Sequence, residues 1–293
     1  MKTFTNLIFF QTLLRIQKRR VVVIAETSAL FFCICLSLSS PAEALTPPTF
    51  IQEAETTWNP QSLSGTDTKS VTFSVQTGDV LVAYVACEDQ SSCSGSLTVS
   101  GGFSWNQEQM VSVASYTLAG IWTTTATSSG SVTITVTRGD AGANAAFGMD
   151  VLTFRNSNGI GASSKTNVAS GAPSLGLTTQ ADNSTVVVVN DDWTSQNGSS
   201  RTWLTVNGST PTSGNGLETT YDRNASWHTV YGAYYNDAGT AGSVTVGLSA
   251  PGSQKYSIAA VEVKGSSSAS SDATHPNNVL RGDSIIRGDS RIQ

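Results

Sequence analysis

Apolar and polar residues alternate along much of this chain, and that alternation predicts β-strands. Val71, Phe73 and Val75 occupy every second position, and a nearly continuous apolar run follows at residues 80–86. An alternating segment followed by an apolar run indicates two adjacent strands. Further strands are predicted at residues 111–123, 131–137, 145–154, 185–190, 201–206, 227–235, 243–248 and 255–263.

Glycine, asparagine, aspartate and proline separate these segments, and no helical pattern lies between them. Charged residues make up only 13% of the chain, and strong helix formers do not occur in sustained runs. Short strands at this spacing predict an all-β fold, namely an antiparallel β-sandwich with jelly-roll-like connections.

The two halves of the predicted sandwich are related in sequence. The segment that starts at Tyr116 aligns without a gap on the segment that starts at His228, which places Gly120 on Gly232. An internal repeat of this size predicts a fold built from two similar halves.

The chain divides into four predicted parts. They are a signal peptide at residues 1–44, an N-terminal extension or edge strand at 45–69, a β-sandwich domain at 70–264 with halves at about 70–156 and 170–264, and a disordered tail at 265–293. One sandwich with a shared core is expected, because no proline-rich or charge-rich linker separates the halves. Two small domains are the alternative, and limited proteolysis between the halves would then release two folded pieces.

The first part has the order of a secretory signal peptide. Basic residues precede an apolar stretch of about ten residues, and small residues follow at Ala42 and Ala44. Cleavage after Ala44 and secretion are therefore expected, with an uncleaved anchor as the alternative. Residues 49–58 could then pair with the edge of their own sheet or, by strand addition, with a neighbouring molecule.

Charge and cysteine content narrow the classes of partner. The whole chain has a formal charge of −5, and removal of the basic signal segment makes the product more acidic. This acidity makes nucleic acid an unexpected partner, and the scattered basic residues do not favour anionic membranes. Membrane insertion after processing is not expected, because no other segment is long and apolar enough to span a bilayer. Cys87 and Cys93 are expected to form a disulfide in an oxidising compartment, and metal binding by this pair is the weaker alternative.

A set of structural motifs resembles a recurrent jelly-roll module of secreted bacterial and phage-associated proteins. The motifs are Gly-Asp before an apolar strand, a tryptophan-bearing segment, Gly-Ser-Val-Thr at residues 130–133 and 242–245, and a closing strand that ends near Arg155. The resemblance covers residues 71–265. It implies a β-sandwich display or binding module without an agreed activity, and it supplies no catalytic residues.

Acid–base chemistry has few candidates in this sequence. His228 lies in a predicted strand, where a surface structural position is expected, and no G-x-S-x-G elbow accompanies it. Asp150 and Glu262 are related by the repeat and form the best carboxylate pair for a glycosidase, but the alternation around Glu262 predicts that it points outward. A glycan-active hydrolase is therefore the third hypothesis, and no enzyme is expected.

One predicted edge could bind carbohydrate or calcium. Aromatic side chains can stack on sugars, and paired carboxylates accept sugar hydroxyls or bind calcium. The candidates are Asp191, Asp192, Trp193, Trp203 and Tyr221. The alternative places Trp203 in the core and both aspartates in a solvated turn. A carbohydrate-binding module is the second hypothesis, and no cofactor other than calcium is considered.

The tail carries a repeated adhesion tripeptide. Its residues are Arg281, Gly282 and Asp283, and then Arg287, Gly288 and Asp289. A flexible tail can present this tripeptide to a host receptor, and repetition raises avidity. A third instance at residues 138–140 is interpreted as a plain hairpin turn.

The leading hypothesis is a secreted or cell-surface, non-enzymatic structural or adhesion module. It rests on the export signal, the acidic product and the scarcity of acid–base residues. The expected partners are the protein itself, through strand addition, surface glycans and a host receptor.

Overall fold

The computed structural model describes residues 45–58, 67–88, 97–113, 116–138, 146–194, 197–224 and 228–267. Within these ranges the protein is all-β and forms four antiparallel sheets. The predicted signal peptide, Cys93 and the repeated tripeptides of the tail lie outside the described residues. Within the described ranges, no helix has the length and apolar character needed to cross a membrane.

Within the described residues, nine strands lie in the first half of the chain and eight in the second. The first nine are β1 (Leu45–Thr46), β2 (Thr49–Glu55), β3 (Asp67–Val75), β4 (Val80–Cys87), β5 (Thr98–Ser100), β6 (Asn106–Val113), β7 (Thr117–Thr125), β8 (Gly130–Arg138) and β9 (Phe147–Arg155). The last eight are β10 (Ser157–Gly171), β11 (Ser174–Thr178), β12 (Thr185–Asp192), β13 (Thr202–Trp203), β14 (Glu218–Arg223), β15 (Thr229–Tyr235), β16 (Ser243–Ala250) and β17 (Gln254–Ser267).

Each half contributes one large and one small sheet. The first large sheet has the order β2-β9-β4-β7-β6, and the first small sheet has the order β3-β8-β5. The second large sheet has the order β1-β17-β12-β15-β14, with β10 also paired to β17, and the second small sheet has the order β11-β16-β13.

Three apolar cores lie between the four sheets, which stack in the order first small, first large, second large, second small. The first core packs the first small sheet on the first large sheet and includes Leu81, Ile134 and Phe147. The middle core packs the two large sheets on each other and includes Val82, Val187 and Val261. The third core packs the second large sheet on the second small sheet and includes Leu177, Val188 and Val246.

This layering explains the two kinds of apolar pattern in the sequence. Every residue of β4 and of β12 is buried, because each strand lies in a large sheet that is covered on both faces. Strand β3 lies in a small sheet with one face in solvent, and its buried and exposed positions alternate. Where one sandwich with a shared core was expected, the structure has four sheets and a core within each half as well as one between the halves.

Several strand predictions are wrong: β5, β11 and β14 were not predicted, and the strand expected at 201–206 is a strand only at Thr202–Trp203. Two further failures have identifiable reasons. The single strand expected at 111–123 is two antiparallel neighbours, β6 and β7, which pair from Val113 and Thr117 onward. Strand β10 was not predicted, although it is the longest strand described. Its sequence is polar and glycine-rich, and its strand conformation depends on pairing with β17 along most of its length.

Strand β10 also joins the two halves through its side chains. The Lys165 Nζ donates to the Met110 carbonyl at 2.9 Å, and the Asn167 Nδ2 donates to the Ser112 carbonyl at 2.6 Å. Both carbonyls belong to β6, which is an edge strand of the first large sheet. These two hydrogen bonds occupy carbonyl groups on the edge of the sheet, where a strand of another molecule could otherwise pair.

The N-terminal segment pairs within its own molecule. Strand β2 forms an antiparallel ladder with β9, so residues 49–55 take the first of the two pairings considered for them. The ring of Phe50 stacks on Tyr234 of the second half with 4.7 Å between centroids. Strand addition to a neighbouring molecule stays a proposal.

The ungapped alignment of Gly120 on Gly232 does not hold in three dimensions. A Cβ on Gly120 would lie 2.6 Å from the ring of Trp122, which belongs to the first core. A Cβ on Gly232 would lie 2.1 Å from the hydroxyl oxygen of Tyr84, which belongs to the middle core. The two glycines face different cores, and because side chains alternate between faces with period two, the alignment is out by one residue here.

Gly232→Ala is expected to lower the free energy of unfolding by about 1–3 kcal/mol, because the new methyl group overlaps the Tyr84 hydroxyl. Chemical denaturation measures the change. Gly176→Ala is the matched control, since Gly176 also lies in a strand but has open space at its Cβ position. Equal losses in the two variants would contradict the assigned contact.

Candidate functional site

A groove in the second half brings together two of the predicted binding residues. We call it the Trp203 groove; it has a volume of about 190 Å³ and is lined by Ser199, Arg201, Thr202, Trp203, Thr210, Pro211, Thr212, Ser213 and Glu218. Tyr221 lies beside it, with its ring centroid 3.8 Å from the guanidinium carbon of Arg201.

Local turn chemistry shapes one wall of this groove. Asn207 and Gly208 both have positive φ, which is the conformation of a two-residue hairpin turn, and Val206 and Ser209 pair across it. The Asn215 side chain then accepts from the backbone N–H of Thr212 and donates to the Thr210 carbonyl. The wall formed by residues 210–213 is therefore held by hydrogen bonds within its own loop.

A nearly buried ion pair forms the base of the groove. Arg201 donates from Nε and Nη2 to the two carboxylate oxygens of Glu218, and the side chains are only 10% and 4% exposed. Arg201 also donates from Nη1 to the Gly198 carbonyl, and the Trp203 indole N–H donates to Glu218 at 3.1 Å. The base of the groove is rigid and has no net charge, because the bidentate pair neutralises both groups.

The structure separates the other predicted edge residues from this groove. Trp193 is half-buried, and its ring meets the edge of Tyr116 with 5.2 Å between centroids. Lys255 Nζ lies 3.5 Å from the centroid of the same Tyr116 ring. Asp192 is fully buried and accepts the backbone N–H of Thr194 at 2.9 Å. Neither Trp193 nor Asp192 is among the residues that line the Trp203 groove.

Trp203 itself is 6% exposed and contributes to the third core, as the alternative interpretation expects. That interpretation is wrong for the aspartates, because neither Asp191 nor Asp192 is solvated. The role of the five residues as a binding edge stays a prediction. Sequence reasoning missed Arg201 and Glu218, although a basic residue two positions before Trp203 in so weakly charged a chain was a usable signal.

The surface position expected for His228 is wrong. His228 is fully buried, and its Nδ1 lies 2.8 Å from Oδ1 of Asp191, which is also fully buried. The second oxygen of Asp191 accepts the backbone N–H of Leu118 at 3.2 Å, so the pair links the two large sheets. Among the described residues, Nε2 of His228 has no hydrogen-bond partner. A histidine in this position contributes to the packing of the two large sheets.

Burial and pairing act in opposite directions on this dyad. Burial raises the pKa of Asp191, and the charge and hydrogen bond of His228 offset only part of that rise. Burial alone would lower the pKa of His228, but the nearby negative charge and hydrogen bond of Asp191 raise it overall. The raised pKa of His228 favours its protonated form, whereas the raised pKa of Asp191 favours a neutral carboxyl. The two groups therefore compete for the proton between them.

The predicted glycosidase pair does not assemble, because its members face different cores. The Tyr84 hydroxyl, in the middle core, donates to Oδ2 of Asp150 at 2.6 Å. Burial raises the pKa of Asp150 to about 7, with a further contribution from Glu55. Glu262 lies between two valines of the middle core, so alternation directs it to the opposite face of its sheet.

The outward orientation predicted for Glu262 is wrong, since this residue is fully buried. Its carboxylate accepts the backbone N–H groups of Ala162 at 2.8 Å, Gln180 at 2.9 Å and Ala181 at 3.0 Å, and the Ser184 hydroxyl at 2.7 Å. Glu262 therefore ties the turn before β12 to β10 and β17.

Glu262→Gln is expected to destabilise the fold by about 2–3 kcal/mol, because the new amide NH₂ faces donors and not acceptors. Urea unfolding at neutral pH measures this change. Glu53→Gln is the control at an exposed carboxylate, where a change within about 0.5 kcal/mol is expected. A Glu262 variant with unchanged stability would contradict the anchoring role.

Metal and disulfide chemistry receive no further support. Within the part of the chain that the structure describes, no group of three or more His, Cys, Asp or Glu residues is placed to hold a metal ion. The carboxylates of Asp191 and Asp192 are hydrogen-bonded to His228 and Thr194, and calcium binding by these residues stays a prediction. Cys87 is fully buried at the end of β4, and its pairing with Cys93 stays a prediction.

The described residues define the class as an all-β protein with several antiparallel sheets. No family model, no curated protein and no solved structure matches the chain. The resemblance to a secreted jelly-roll module therefore identifies no family, and functional reasoning rests on the geometry of the chain itself.

Proposed function

We propose that this protein is a secreted or cell-surface, non-enzymatic structural or adhesion module. The observation that carries the proposal is the burial of its candidate catalytic groups. Asp150, Asp191, His228 and Glu262 are all fully buried and hydrogen-bonded within the protein. Side chains committed to packing in this way support a scaffold role, because general acids and bases must reach the substrate.

The strand order supports a finer proposal, that the halves are repeats of one jelly-roll-like unit. Numbered from β2 and from β10, both large sheets have the order 1-8-3-6-5, and both small sheets have the order 2-7-4. The same ungapped alignment, which fails at Gly232, pairs Val136 of β8 with Leu248 of β16. Both of these side chains lie in the core of their own half, so the alignment holds in this strand. A difference of one residue in length between the β7–β8 segment and the β15–β16 segment explains why the alignment fails in one strand and holds in the next.

Limited proteolysis tests whether these halves are independent. No pair of separately stable fragments is expected, because separation would expose the apolar faces of the middle core. Two soluble, folded halves would show that the middle core is dispensable and would favour two domains.

Export and adhesion are tested on the full-length protein. Secretion predicts an extracellular product whose N-terminal residue is Leu45, which N-terminal sequencing would detect.

Adhesion through the tail predicts that Asp283→Glu combined with Asp289→Glu abolishes cell attachment. Unchanged attachment would exclude the tripeptides as the adhesive element.

Self-assembly is the remaining form of this proposal. Because β2 is the edge strand of its sheet, a neighbouring molecule could add a strand at its open edge, or β2 could be exchanged between molecules. Electron microscopy and analytical ultracentrifugation would show filaments or oligomers if either occurs. A mature protein that stays monomeric at high concentration would oppose assembly.

A carbohydrate-binding module is the second candidate, and the Trp203 groove is the observation that favours it. The groove combines an aromatic residue, several hydroxyl side chains and a rigid ion pair. Glycan-array screening of the mature protein tests this function. Trp193→Ala examines the separate aromatic cluster of Trp193 and Tyr116, and binding that depends on Trp193 would place the ligand outside the groove.

A further inference from the structure

The Trp203 groove has the properties of a built site for a small ligand. Its wall is held by Asn215, and its base is held by the bidentate pair of Arg201 and Glu218. Both sets of hydrogen bonds join residues of the protein itself, so the groove is held in shape by its own side chains. The groove has a volume of about 190 Å³, which is the volume of about six water molecules in the liquid. Pockets for drug-sized ligands are larger, at about 300–1,000 Å³. The groove therefore suits one small ring, not an extended chain.

Charge in the groove argues for a neutral ligand. Arg201 and Glu218 are the charged residues of the lining, and they neutralise each other through two hydrogen bonds. An ionic ligand would lose its hydration on entry and would have to disrupt this pair to gain a partner. A neutral ligand avoids that cost.

The polar side chains of the groove match a ligand that is rich in hydroxyl groups. Five lining residues carry hydroxyls that can both donate and accept: Ser199, Thr202, Thr210, Thr212 and Ser213. Arg201 uses three of its five N–H donors in bonds to Glu218 and Gly198, so the lining hydroxyls supply most of the hydrogen-bonding groups. A polyol can satisfy such a mixed set of donors and acceptors.

An apolar surface completes the lining. Trp203 and Pro211 contribute it, and Trp203 is held in place by the hydrogen bond from its indole N–H to Glu218. Because Trp203 is only 6% exposed, it offers an edge and not a full stacking face. Sugar rings present C–H groups on one face and hydroxyls around the rim, which is the combination that this lining complements.

We propose that the Trp203 groove binds a single ring of a neutral saccharide, such as the end of a glycan chain. This inference rests on the second candidate function and adds the ligand class, the residues and the size of the ligand. The small contact predicts weak binding, with a Kd on the order of millimolar for one ring. Useful affinity on a surface then depends on many copies of the protein or of the glycan.

The test uses the mature protein and NMR detection of the Trp203 indole N–H. The probes are glucose, galactose, mannose and N-acetylglucosamine, with glucuronic acid as the charged counterpart. We expect at least one neutral sugar to shift the Trp203 signal in a saturable way, and glucuronic acid to bind at least tenfold more weakly. No shift with any neutral sugar, or preferred binding of glucuronic acid, would overturn the proposal.

Matched variants locate the binding. Thr212→Trp fills the groove from its exposed rim and is expected to weaken binding at least tenfold, and Thr212→Val tests the hydroxyl alone. Thr127→Trp is the control, because Thr127 is equally exposed and lines a depression in the first half. Equal effects of the two tryptophan substitutions would place the ligand elsewhere. Thermal unfolding of each variant confirms that it is folded.

The outcome is separable from that of the proposed adhesion function. Loss of sugar binding in Thr212→Trp with unchanged cell attachment supports the groove and leaves the tail as the adhesive element. Sugar-array signals that survive in Thr212→Trp refute the groove as the site, although they would support a carbohydrate-binding function.

Discussion

Asp67→Ala is expected to lower the free energy of unfolding by about 3–5 kcal/mol, because it removes a carboxylate that is hydrogen-bonded to a buried guanidinium. Asp67 and Arg138 form the last pair of the ladder between β3 and β8, and both side chains are fully buried. Arg138 Nη2 donates to Asp67 Oδ2 at 2.6 Å, and the guanidinium lies 5.2 Å from the ring centroid of Phe147. Urea unfolding at neutral pH measures the loss.

A double variant separates loss of the charge pair from loss of packing. Asp67→Leu with Arg138→Met replaces the pair by apolar side chains and is expected to recover most of the stability, since a buried ion pair contributes little beyond its apolar replacement. Thr68→Ala, at an exposed neighbouring position, is expected to change stability by less than about 0.5 kcal/mol. A single Asp67→Ala variant as stable as the Thr68 control would refute the buried pair.

The same contact changes the interpretation of the tripeptide at residues 138–140. Arg138 ends β8 and points into the first core, so its guanidinium is not available to a receptor. Adhesion through an arginine-glycine-aspartate tripeptide therefore depends on the two copies in the tail.

The protein is expected to lose up to about 4 kcal/mol of stability between pH 4 and pH 7 through Asp150 alone. The pKa of this carboxyl is raised by burial from 3.8 to about 7, so the folded state keeps a proton that the unfolded state releases. For an acid whose pKa is raised by folding, the stabilisation is complete below the unfolded pKa. It declines as the pH rises towards the folded pKa and is absent above it.

Asp150→Asn tests this pH dependence directly. The asparagine carbonyl can still accept the Tyr84 hydroxyl, so the variant is expected to be at least as stable as the natural protein at pH 8 and to show a flatter pH profile. Unfolding free energies at pH 4, 5, 6, 7 and 8 provide the comparison, with Asp182→Asn as an exposed control. Parallel profiles for Asp150→Asn and the natural protein would contradict a protonated, buried Asp150.

Several strands can be predicted from sequence because apolar runs and turn residues mark them within a few neighbouring positions. The apolar runs of β4 and β12 predict strands buried on both faces, and Gly78, with a φ of +89°, occupies a turn that its sequence indicates. The reversal between β6 and β7 was missed because residues 114–116 contain no glycine, proline, asparagine or aspartate. Strand β10 was missed because nothing in its own sequence favours a strand.

The candidate site depends on contacts between residues that are far apart in the sequence, and no local pattern predicts such contacts. Arg201 and Glu218 are 17 residues apart, and they meet because the loop between β13 and β14 folds back on itself. The candidate catalytic residues Asp150, His228 and Glu262 are buried because each large sheet is covered on both faces. In such a sheet, alternation of side chains along a strand does not distinguish buried positions from exposed ones.

By itself the sequence determined that this protein is all-β and where most of its strands lie, because strand propensity, alternation and turn residues act over a few neighbouring positions. The tertiary structure alone decided how many sheets form, which core each side chain enters and which polar residues meet. Those outcomes depend on strand order and on the packing of one half against the other, and both join residues that are far apart in the chain.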